Sequence, residues 1–138
     1  MKIQGYKIDS HNQKIIPMDV NPDNEYGYLT DIAAQFSGIF CIGGKYIKNN
    51  IENILYVDDE GLLNCQNDIN YGLSFKSSDN RDSSVLIGNG FIEAVNSKGE
   101  SISSNLTLEE VKELIEFKTF SREFIENRMN NSFKIYSL

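Results

Sequence analysis

The sequence predicts an α+β protein, mainly antiparallel sheet with a short helix in its N-terminal half and one or two C-terminal helices. Three observations carry that expectation. Short apolar segments recur between turn clusters of Asn, Asp, Ser and Gly, as antiparallel strands do. Residues 25–36 carry apolar side chains at helical spacing, and a complete helix-start signature surrounds Thr107.

The chain opens with two expected strands, 2–8 and 14–20, joined by the turn cluster Asp9-Ser10-His11-Asn12 into a hairpin. Pro17 has no N–H to donate, so the second strand is expected at a sheet edge. In the segment that follows, Tyr28, Leu29, Ile32, Ala33 and Phe36 form one apolar helical face, and Gly38 is placed to end it. Residues 38–47 read as a strand with a bulge at Gly43-Gly44, and 51–57 as the next strand. Asp58-Asp59-Glu60-Gly61 is turn chemistry, with Leu62-Leu63 beginning a return strand.

Residues 64–84 read as polar and irregular, with a short strand at 73–76 and a mobile loop at 77–84. Residues 84–95 read as a strand pair or bent strand interrupted by Gly88-Asn89-Gly90, and Asn96-Ser97-Lys98-Gly99 as a turn. Thr107 and Glu110 then make a capping box, with Leu106 and Val111 as its hydrophobic staple, which predicts a helix over 108–117. The whole chain, 1–138, is expected to be one domain, with 118–138 as an appended tail. In that tail, 122–129 reads as a second helix, and Phe133-Lys134-Ile135-Tyr136 alternates like a strand available to the chain's own sheet or to that of a partner, including a second copy of the chain.

Charge excludes some functions. The net charge is −7, from 20 acidic and 13 basic residues, and the basic ones are scattered. Phosphate neutralisation supplies most nucleic-acid affinity, so direct binding to DNA or RNA is not expected. No apolar run approaches the ~18 residues that a membrane span requires, and the first residues lack an apolar leader. Cys41 and Cys65 show no CxxC spacing. A cytoplasmic protein without membrane attachment is expected.

No constellation of residues spells out a reaction, and no cofactor is expected. Three consecutive carboxylates at a turn, Asp58, Asp59 and Glu60, splay apart instead of holding an acid–base pair at fixed separation. Gly88-Asn89-Gly90 leads into an expected strand, whereas a phosphate cradle opens a helix. His11 is the single histidine, so a zinc site lacks ligands, and a hydrolase would require folding to bring His11 to a cysteine or a carboxylate pair. Tyr26, Tyr28, Phe36, Phe40, Tyr46 and Tyr56 have the spacing of core faces.

Leu55-Tyr56-Val57-Asp58-Asp59-Glu60-Gly61-Leu62-Leu63, then Gly88-Asn89-Gly90 through Gly99-Glu100, then Thr107-Leu108-Glu109-Glu110-Val111 through Phe117, follow a shared order. In these motifs the chain resembles a family of small proteins of unknown function from bacteria and their phages, over roughly residues 25–117. That resemblance implies a mobile-element or accessory context, and no activity or functional residues. The longer 64–84 segment and the tail depart from it.

The expected function is therefore non-enzymatic binding of a protein partner, as an accessory factor that occupies or inhibits a host protein. Candidate contact residues are Asp58, Asp59 and Glu60 at the turn, Asp79, Arg81 and Asp82 on the loop, and Arg122 and Arg128 in the tail. Two alternatives are an immunity protein opposing a basic toxin, through acidic complementarity, and a binder of a small signalling nucleotide, through aromatics and the tail arginines.

Overall fold

A computed structural model describes residues 2–21, 40–58 and 68–128. In chain order its elements are β1 (Ile3–Asp9), β2 (Lys14–Val20), β3 (Phe40–Lys48), β4 (Ile51–Asp58), β5 (Ile69–Phe75), β6 (Leu86–Ile87), β7 (Gly90–Val95), β8 (Ser101–Ile102), α1 (Leu108–Leu114) and β9 (Ile115–Ser121). A helical segment, α2, follows at 122–128. The first sheet has the order β2-β1-β7-β4-β3, with β8 beside β7, and the second has the order β6-β5-β9. All these pairings are antiparallel, as the α+β, mainly antiparallel expectation requires.

The N-terminal hairpin forms in the expected place, with Asp9 opposite Lys14 and the proline-bearing β2 at the sheet edge. The β3–β4 register shifts between Ile42 and Gly44, so the paired glycines do mark a bulge. Asn49 and Asn50, both at positive φ, form the tight turn between these strands. Thr107 caps α1, and both halves of the capping box are made: Glu110 N donates to Thr107 Oγ1 at 3.2 Å and Thr107 N to Glu110 Oε1 at 3.1 Å.

One apolar cluster joins the layers. Tyr6, Ile8, Leu55, Val57 and Ile92 from the first sheet meet Leu73, Phe75 and Ile115 from the second, with Val111 and Leu114 from α1. A buried polar network fastens α1 to the first sheet. Ser104 Oγ donates to Asn53 Oδ1 at 2.6 Å, Asn53 Nδ2 to Asn105 Oδ1 at 3.0 Å, and Tyr6 OH to the Leu106 carbonyl at 2.6 Å.

Four expectations need correction. The strand expected at 73–76 is β5, twice as deep into the polar stretch, because Ile-Asn-Tyr-Gly-Leu-Ser-Phe finds a full-length partner in β9. The helix expected to reach 117 stops at Leu114. Ile115 turns extended (φ −113°, ψ 130°) and pairs with Phe75, since strand pairing outcompetes a helical stripe at Ile-Glu-Phe. Residues 118–128, expected within an appended tail, are built into the second sheet: β9 runs to Ser121, and Ile125 packs on Phe120 and Ile87. Residues 84–95 do not form one hairpin or bent strand. Gly88, at φ 92°, sends β6 to the second sheet and β7 to the first.

The helix expected at 25–36, the return strand at 62–63 and the strand at 133–136 lie outside the described residues. Among the described residues, no helix is long and apolar enough to cross a membrane.

Candidate binding groove

β5 arises from strict alternation, which puts Ile69, Tyr71, Leu73 and Phe75 on one face. Its C-terminal half is core, with Leu73 and Phe75 buried. Its N-terminal half overhangs. Ile69 is 59% and Tyr71 38% exposed, while Asn70 between them is buried, with its Nδ2 donating to the Phe120 carbonyl at 3.5 Å. Exposing Ile and Tyr while burying Asn reverses the ordinary sorting of side chains, and such reversals mark surfaces used for contact.

The tip of the first hairpin leans against this overhang. The His11 ring meets Tyr71 edge-on, with centroids 4.6 Å apart. Beside them Gln13 and Ile15 from the hairpin, Lys112 from α1, and Ile115 and Phe117 from β9 surround an open groove of about 250 Å³. Phe117 lies opposite Leu73 and Thr119 opposite Tyr71, so the groove floor runs into the overhang without a break. Phe124 in α2 is 44% exposed and stacks on Phe120 at 5.7 Å. Its N–H donates to Ser121 Oγ, and Ser121 pairs with Ile69. Two of the five exposed large hydrophobic side chains among the described residues, Ile69 and Tyr71, therefore share the groove's face of the second sheet, whereas Phe124 lies against Phe120 on the other face.

The charged candidates are placed elsewhere, and mostly against one another. Loop 77–84, expected to be mobile, is strapped across the edge of β3. Ser78 N and Ser77 Oγ donate to the Lys45 carbonyl at 2.6 and 3.1 Å, Lys45 N returns a bond to Ser77 Oγ, and Ser83 Oγ donates to the Gly43 carbonyl at 2.6 Å. On this strap Arg81 pairs with Asp79 at 3.0 Å, and Asp82 receives Arg128 from α2 at 2.8 Å. The Ser84 hydroxyl and then the Arg128 guanidinium hold the Asp82 carboxyl down to about 2, and the Ser77 hydroxyl lowers that of Asp79. Arg122 pairs with Glu126 one turn on, at 3.2 Å. The structure thus brings Asp79, Arg81, Asp82 and Arg128 together. Arg122 stands at the other end of α2, Asp58 ends β4 opposite Phe40, and Asp59 and Glu60 lie outside the described residues.

A second feature lies on the face of the first sheet that turns away from the second. Glu93 in β7 is 6% exposed, and Tyr56 OH donates to its Oε1 at 3.0 Å. Burial pushes the Glu93 carboxyl up to about 7.

Sequence reading missed the groove and Glu93. The alternation of 69–75 was a usable signal for the groove's exposed wall, and a single acid in Gly-Phe-Ile-Glu-Ala-Val was one for Glu93. Neither shows from sequence which neighbours it meets. Among the described residues, no group of three or more His, Cys, Asp or Glu side chains is placed to hold a metal ion. No protein-family model, curated protein or solved structure matches the chain.

Proposed function

We propose that the protein is a non-enzymatic binding protein that occupies a protein partner, seating one partner side chain in the groove beside Phe117 and packing the surrounding surface on Ile69 and Tyr71. The observation that carries this reading is the exposed apolar end of the second sheet, open beside a preformed groove. Protein interfaces concentrate aromatic anchors within a polar rim, and here Gln13 and Lys112 border the groove. The groove, open and about 250 Å³, lies just below the roughly 300–1,000 Å³ usual for small-molecule sites, and a second open hollow of about 480 Å³ lies beside Ile47 and Glu52. The arginines assigned to a nucleotide's phosphates in the alternative reading each hold a carboxylate of the chain itself.

An accessory factor that blocks a host protein fits this reading, as the motif resemblance implies, and so does the expected cytoplasmic location. Native mass spectrometry of the purified chain, incubated with lysate of its source cells, tests it. A protein-sized addition to the wild type, lost in an Ile69→Ser/Tyr71→Ser variant of unchanged Tm, is the expected result. An addition of nucleotide size, or one the variant keeps, overturns it.

A further inference from the structure

Glu93 stands apart from the groove and does not depend on it. All but the last residue of β7 are buried, and alternation puts Glu93 with Phe91 on the face opposite the shared core. Ile3, Val20 and Phe91 are buried on that face, with Met18, Phe40 and Tyr56 packed against them. An ionised carboxylate has about four lone-pair sites to satisfy. The Tyr56 hydroxyl meets Oε1, while Oε2 is sealed from solvent and has no hydrogen-bond partner among the described residues. An unmatched buried charge costs far more than an unmatched neutral acid, so the group keeps its proton.

The other charged groups on this face do not reverse that balance. By register they are Glu52 and Asp58 on β4, Lys45 on β3, Lys7 and Asp9 on β1 and Lys14 on β2. Lys45 is engaged with Glu52 at 3.8 Å, and Tyr56, beside Glu93, is itself held neutral by burial. We infer that the folded protein carries Glu93 as the neutral acid, making this face of the first sheet a pH-sensitive element whose packing weakens when the carboxyl ionises.

The direction follows from linkage. Burial raises the carboxyl from 4.5 to about 7, so between these values the unfolded chain has lost a proton that the folded chain retains. This contribution to stability is complete below the lower value, falls as pH rises through the window and levels off above about 7. Over the whole titration, from well below the lower value to well above the upper, the separation of 2.5 units (7 − 4.5) drops the folding equilibrium constant by about 300-fold.

Urea unfolding of wild type and Glu93→Gln at about pH 5 and about pH 8.5 tests the inference. The wild type is expected to lose about 70-fold in folding constant relative to the variant between the two, because at pH 5 the unfolded chain has already lost much of its proton. Parallel behaviour of the two proteins overturns the inference. Should Glu93→Gln fail to fold, carboxyl-carbon NMR of the labelled wild type decides. A Glu93 midpoint near 7 sustains the inference, and one in the ordinary carboxylate range ends it.

Discussion

The two ends of β5 meet the first sheet in opposite ways. At the Phe75 end, loop 77–84 ties the second sheet to β3: Phe75 N donates to the Ser83 carbonyl at 2.9 Å, and the Ser83 hydroxyl donates to Gly43. The layers are so close there that a Cβ on Gly44 would come within 2.7 Å of the Phe75 ring. At the Ile69 end, Gly88 N donates to the Tyr71 carbonyl at 2.9 Å, but the side chains of β5 meet the first hairpin through a ring edge, His11 on Tyr71, beside an open groove. The same strand, with the same alternation, is structural at one end and unclaimed at the other. An edge strand such as β3 needs its backbone groups covered, and the strap covers them. The exposed Ile and Tyr have no such structural duty, which is why we assign them to a partner.

The comparison breaks most readily at its closed end. Phe75→Ala should cost about 3–5 kcal/mol, as for buried aromatics generally, read from urea unfolding. Ser83→Ala leaves the Gly43 carbonyl buried without that donor and should cost about 1–3 kcal/mol, with faster amide exchange in β3. Tyr71→Ala, on the same face of the same strand as Phe75, should change stability by less than about 1 kcal/mol. A Tyr71→Ala loss equal to that of Phe75→Ala would make the open end part of the core and remove the contrast.

Much of the fold was legible because local chemistry and tertiary structure agree. The Asp9–Asn12 turn, the Gly43-Gly44 bulge and the Thr107/Glu110 box each act within a few residues. Failures came where one segment suits two partners. Ile115-Glu116-Phe117 extends the stripe of α1 as well as it alternates for β9, and pairing with β5 decides between them. In 69–75 the polar Asn70, Gly72 and Ser74 masked an alternation that was present. Charge was read in the right places, but not its pairing within the chain. Asp79, Arg81, Asp82 and Arg128 do gather, but as mutual partners that hold loop and helix. The groove draws on residues 13, 15, 112, 115 and 117, on either side of a sandwich, and no spacing rule joins them.

The most direct measurement is site-specific photo-crosslinking, with a benzoylphenylalanine placed at Tyr71 in one protein and at Ile47, also exposed but away from the groove, in another. The account predicts a protein adduct from position 71, suppressed by Ile69→Ser, and none from position 47. Adducts formed equally from both positions, or from position 47 alone, would contradict it.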